Sequence, residues 1–291
     1  METAELLKKV RKIEIRTKGL VNQIFSGEYH SVFKGRGMAF SEVREYQFGD
    51  DIRAIDWNVS ARFNHPFVKV FEEERELTLM LVVDVSGSGE FGTVQQMKRE
   101  IAAELCAVLA FSALQNNDKV GVIFFSDVIE KFIPPKKGRT HTLRIVREVL
   151  DMQPSRRGTS VAEGLRYLTS AIKKRSIAFL ISDFLDDNYS DALKIAAKKH
   201  DLIGVRLYDP REAALPPAGL MRLIDAETRE TAWVDTSDRR VRDRYARWWQ
   251  DRGAERTKLF RRSGVDAIDI RTDQSYINPL VAFFKLRERR W

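Results

Sequence analysis

A chain of 291 residues, 43% hydrophobic and 32% charged, has the makings of a globular protein with a sizeable core, which excludes a disordered polymer. The net charge of +8 admits acidic partners, but the basic residues are spread along the chain and form no single basic tail. A lone cysteine, Cys106, set among apolar residues, excludes an internal disulfide and any multi-cysteine zinc site.

The opening residues lack the apolar core of a signal peptide, and no apolar run approaches the ~20 residues of a bilayer span. The expected address is therefore the cytoplasm. Residues 3–25 read as a helix, with Leu6, Leu7, Val10, Ile13 and Leu20 near helical spacing. From residue 26 to 76 short β-like pieces are punctuated by Gly27, Gly35, Gly37 and Gly49, which suggests a small β-rich accessory region. Residues 77–83 form a continuous apolar run, short enough to be a fully buried strand.

Strands and helices then alternate. A helix is expected over 93–115, a strand pair over 120–125 and 129–133, helices over 140–150 and 161–174, and a second buried strand over 177–182. A helix over 190–199 leads to a strand over 202–207. Pro210, Pro216 and Pro217 mark an excursion over 208–236 with a hairpin of 221–225 and 231–234. A long helix (237–262), a strand (265–270) and a last helix (275–286) complete the pattern. The fold expected is α/β: a mostly parallel sheet with helices on both faces, occupying residues 77–291.

Parallel sheets bind ligands outside the carboxyl ends of their strands. At that place the sequence sets Asp84-Val-Ser86-Gly-Ser88, directly after the first buried strand. One carboxylate and two hydroxyls in a tight turn suit a hard cation such as Mg²⁺, which seeks oxygen ligands at ~2.0–2.1 Å. One turn offers too few oxygens, and two further loops at the same edge offer more: Thr159, before the helix at 161, and Asp183, after the strand ending at 182. Helix capping by Asp84 or Ser86 would explain the turn but neither Thr159 nor Asp183.

Asp84, Ser86, Ser88, Thr159 and Asp183 together resemble the metal-ion-dependent adhesion site of von Willebrand factor A domains and match all five of its positions. The resemblance implies a von Willebrand A-like fold, a bound Mg²⁺ (with Mn²⁺ or Ca²⁺ as substitutes) and an open coordination position that accepts a carboxylate from a protein partner. A second resemblance covers residues 40–76, where Arg44, Tyr46, Gly49-Asp50, Arg53, Ile55-Asp56-Trp57 and Ala61-Arg62 are similar to the signature of a bacterial family catalogued as domain of unknown function 58. That family implies a partner of its own, a MoxR-type AAA+ ATPase or its client, which its members are thought to serve as adaptors or co-chaperones. Read from the residues alone, Asp50, Asp51 and Asp56 interleaved with Arg53, Arg62 and Trp57 suggest an internal ion-pair network, with docking as the other reading.

The function expected is therefore a non-enzymatic, metal-dependent protein-binding module. Other chemistries lack their residues. Ser86 stands where a haloacid-dehalogenase-type phosphotransferase needs a second aspartate, and neither a Gly-x-Ser-x-Gly elbow nor a Walker loop is present. Two alternatives stay open: a nucleic-acid-binding protein using its basic surface, and a metal-dependent hydrolase. The arginine-rich helix at 237–262 bears on the first. Val241, Tyr245 and Trp248 fall on one helical face, which points these aromatics to the core, and Asp243–Arg247 and Arg247–Asp251 are spaced as ion pairs. Nucleic acid is accordingly not the expected partner.

Overall fold

The computed structural model describes residues 39–72, 76–92 and 97–289. The expected helix over 3–25, the first part of the accessory region and the start of the helix at Thr93 lie outside them. The chain divides into two compact units, one of them Phe33–Leu77 and the other including Thr78–Trp291.

In the smaller unit, β1 (Ala39–Glu45) and β2 (Phe67–Glu72) pair antiparallel. Between them lies a helix, α1 (Trp57–Phe63), in a stretch whose sequence suggests only β pieces. Asp56 creates it: its side chain accepts from the backbone N–H of Asn58 (3.0 Å) and Val59 (3.3 Å), capping the first turn. The ion pairs here are not the expected ones. Asp50 takes a two-pronged bond from Arg44 (2.7 Å each) and Asp56 pairs with Lys69 (3.5 Å), while Arg53, Arg62 and Trp57 are exposed. The Arg44 hydrogen bond, with one from the Gln47 N–H, holds the Asp50 carboxyl below its ordinary range.

The larger unit is built on β3 (Thr78–Asp84), α2 (Lys98–Gln115), β4 (Lys119–Phe125), β5 (Ile129–Lys136), α3 (Arg139–Asp151), α4 (Val161–Ala171), β6 (Ile177–Ser182), α5 (Ser190–Lys199) and β7 (Asp201–Tyr208). A short helix, α6 (Pro210–Ala213), a hairpin of β8 (Leu220–Ile224) and β9 (Thr231–Asp235), the long α7 (Arg239–Ser263), β10 (Asp266–Arg271) and α8 (Ile277–Glu288) follow. Six strands form one sheet in the order β10-β7-β6-β3-β4-β5, parallel except for the β4–β5 pair. This is the α/β fold that the alternation implies.

Burial explains the apolar runs. Leu79 to Val83 of β3 are at most 2% exposed, and every residue of β6 is buried, because both strands are sandwiched between helices. Met80, Val82, Ile123, Phe125 and Leu180 pack with Val161, Leu165, Leu193 and Phe260 on the face covered by α4, α5 and α7. On the other face α2 is apolar nearly all round, from Ile101 to Ala113, and Cys106 lies within it, where burial pushes the thiol pKa up. Pro134 and Pro135 sit in β5, an edge strand where a missing N–H costs no ladder bond inside the sheet. Among the described residues no helix is long and apolar enough to cross a membrane.

The arginine-rich helix differs from its sequence reading in one register. Trp249, Arg256 and Phe260 face the core, whereas Trp248 is 41% exposed, so the buried stripe runs one residue beyond the expected one. Asp243 pairs with Arg239 (3.4 Å), and Arg247 hydrogen-bonds the carbonyl of Asp243. Arg252 pairs with Asp187 and Arg256 with Asp269 (3.3 Å), so part of the basic stripe is neutralised by neighbouring elements.

Candidate metal centre

The chain leaves β3 for its neighbour β4 on one side, and later enters β6, its neighbour on the other. The loops after β3 and β6 therefore diverge and leave a crevice at the carboxyl edge, the switch point at which such sheets bind ligands. Asp84 ends β3, and Asp183 directly follows β6, so topology alone brings two residues 99 positions apart to one cleft.

The Asp84 carboxylate is fixed at both oxygens. Oδ1 accepts from the Ser86 N–H (2.9 Å), which bends the chain off the strand, and Oδ2 accepts from the Ser182 hydroxyl at the end of β6 (2.6 Å). The turn brings the Ser86 and Ser88 hydroxyls to 3.1 Å from each other. Asp183 accepts a hydrogen bond from the Ser88 side chain and another from the Leu185 N–H (3.2 Å). Phe184, next to it, holds a left-handed backbone (φ 57°), which a bulky residue keeps only under constraint; its ring is wedged against Phe260 at 5.1 Å. Four of the five expected residues thus form one connected cluster.

Thr159 stands on an adjoining loop. The Gly87 N–H donates to the Arg157 carbonyl (2.9 Å), which ties the 157–159 segment to the Asp84–Ser88 turn. Its hydroxyl donates to Glu227 at 2.5 Å, a residue of the β8–β9 turn that the sequence reading leaves out. Lys98 was missed as well. Its ammonium, 3% exposed, bridges Asp183 (3.0 Å) and Glu212 of α6 (2.7 Å). No spacing rule flags Lys98, because a lysine in the first turn of a helix reads as solvated until the opposing loop is known. Glu227 sits in a charged turn, Asp-Ala-Glu-Thr-Arg-Glu, that looks like any exposed hairpin tip.

The electrostatics are those of crowded, buried carboxylates. Burial first, and then the charge of Asp183, push the Asp84 carboxyl up to about 7. Burial also pushes Asp183 upward, but the Lys98 charge and the bonds from Lys98 and Ser88 outweigh it and leave Asp183 below its ordinary value. The Lys98 ammonium is shared by Asp183 and Glu212, whereas Asp84 is held by neutral donors, the Ser86 N–H and the Ser182 hydroxyl. Among the described residues no three His, Cys, Asp or Glu side chains gather as one metal cluster. The donor set is instead two carboxylates with hydroxyls, all oxygen, the kind that suits a hard cation. Arg99 and Arg157, both exposed, line the cleft.

Comparison with known proteins places the chain. The family model described as "Protein of unknown function DUF58" matches residues 42–255. The uncharacterized protein Rv1480 of Mycobacterium tuberculosis is 30% identical over 99% of this chain and 92% of its own length. Among solved structures, the conserved hypothetical protein BatB of Bacteroides thetaiotaomicron is similar over 75% of this chain and all of its own, at 18% identity and a TM-score of 0.47. The SpRpn10 VWA domain is similar over 71% of this chain and 93% of its own, at 13% identity and a TM-score of 0.38. Scores this low assign nothing to individual residues. The family match covers both the Asp50–Arg62 segment and the Asp84–Asp183 cleft, and this chain belongs to the DUF58 family of proteins of unknown function.

Proposed function

We propose that the chain is a non-enzymatic cytoplasmic binding module that holds one divalent cation at Asp84, Ser86, Ser88, Thr159 and Asp183 and grips a protein partner through a carboxylate. The observation that supports this most is the Asp84–Ser182 and Ser88–Asp183 cross-bonding, which locks oxygen donors of two diverging loops into one cleft. A bound Mg²⁺ would supply a strong positive centre with room for a further oxygen ligand. The residues do the rest. Ser182 and the Ser86 N–H orient Asp84, Leu185 and Lys98 orient Asp183, and the hydroxyls of Ser86 and Ser88 offer neutral oxygens that leave the cation's charge incompletely balanced. An incoming Asp or Glu then gains from completing that balance, and the exposed Arg99 and Arg157 favour its approach.

The partner class follows from the family resemblance: a MoxR-type AAA+ ATPase or its client. Binding of the purified chain to a purified MoxR-type ATPase from the same cells, measured by interferometry, tests the reading. Complex formation in Mg²⁺ should fall at least tenfold in EDTA or in Asp84→Ala. Equal binding in all three conditions would overturn the carboxylate-through-metal reading.

A further inference from the structure

The tip of the β8–β9 hairpin lies against the Asp84–Ser88 turn and the Thr159 loop. Its turn is cross-bonded: Asp225 Oδ1 accepts from the N–H groups of Glu227 (2.9 Å) and Thr228 (2.8 Å), and the Asp225 N–H donates to Glu230 O (2.9 Å). The turn is also pressed onto the Asp84–Ser88 segment. A Cβ added at Gly87 would run into the backbone carbonyl of Ala226, so only glycine at position 87 lets the hairpin lie this close. At the tip, Glu227 is half-buried and accepts both the hydroxyl and the backbone N–H of Thr159. Glu227 thus joins the hairpin tip directly to a residue of the cation site.

We propose that Glu227 is a built-in acidic ligand of the cation site, the chain's own carboxylate held on Thr159 where a partner's carboxylate would bind. This rests on the metal-site reading above and deepens it. The site then rests in a self-capped state. An external Asp or Glu enters by displacing the hairpin tip, an exchange of one carboxylate for another that favours only partners able to hold the opened hairpin as well. The hairpin carries a surface for that: Leu220, Ile224 and Trp233 are exposed, and the register Arg222↔Trp233 puts all three on one face.

Mn²⁺ alone, as a probe, separates the possibilities. Calorimetric titration of the full chain should show Glu227→Gln, which keeps an oxygen for Thr159 but removes the charge, binding Mn²⁺ about tenfold more weakly than the wild type. Gly87→Ala, which moves the hairpin without touching a ligand side chain, should weaken binding similarly, and adding Glu227→Gln to it should cost less than twofold more. Water-proton relaxivity of the Mn²⁺ complex should rise in Glu227→Ala as water takes the vacated position. Wild-type affinity and unchanged relaxivity in the Glu227 variants would overturn the proposal while leaving the metal site standing. No Mn²⁺ uptake by the wild type, or uptake unaffected by Asp84→Ala, would instead overturn the site itself and the proposal with it.

Discussion

At the scale of single residues, the cleft is organised by a lysine as much as by its acids. Lys98 is 3% exposed and carries charge only because Asp183 and Glu212 face it; burial alone would drive its proton off. Removing it leaves two buried carboxylates with no counter-charge. Lys98→Met should therefore destabilise the fold by about 3–5 kcal/mol in urea denaturation at neutral pH, the cost of breaking a buried pair on one side. A loss below about 1 kcal/mol would show that water reaches these carboxylates and that Lys98 is not needed to hold them. The same neighbours explain why Asp84 and Asp183, alike in the sequence, differ in the fold. Lys98 and Ser88 hold Asp183 ionised, whereas Asp84 has burial and a like charge against it.

At the scale of elements, β7 and α7 touch through Gly204 and Phe260. A Cβ at position 204 would come within 2.3 Å of the edge of the Phe260 ring, which is 2% exposed and packed against Phe184. Gly204→Ala should cost about 1–3 kcal/mol by overpacking, read as a fall in the urea midpoint at unchanged slope. No change would mean that α7 sits less tightly on the sheet. Most elements were legible because burial writes directly into composition: β3 and β6 are continuous apolar runs, and α5 begins and ends where its amphipathic spacing does. The helix α1 was not, because its existence depends on one capping aspartate inside a segment of mixed composition. Trp248 and Trp249 are adjacent, and a one-residue rotation of α7 decides which is buried; packing against Tyr208 at 6.3 Å selects Trp249. In the site, Asp84, Ser86, Ser88 and Asp183 lie at or just after strand ends, which topology sends to one edge, whereas Thr159 stands on the loop before α4 and is read from that place. Lys98, Ser182, Glu212 and Glu227 could not be read in this way, because each acts through a partner more than 60 residues away.

At the scale of the whole molecule, the sheet's order does the assembling. One reversal, with β4 on one side of β3 and β6 on the other, creates the crevice, and the long excursion after β7 sends α6 and the hairpin back across it. Six separate stretches of chain thus bring polar groups together at one edge of an otherwise apolar sheet, while the basic residues elsewhere are partly paired along α7. The signature region carries its own ion pairs, Arg44–Asp50 and Lys69–Asp56, and its own exposed aromatics, Trp57 and Phe63. Anomalous diffraction from Mn²⁺-soaked crystals addresses the assignment of the cation site most directly. A single strong peak bounded by Asp84, Ser86, Ser88, Thr159 and Asp183 is expected, lost in Asp84→Ala crystals. A map with no peak in the cleft, or with the ion bound elsewhere on the sheet edge, would contradict it.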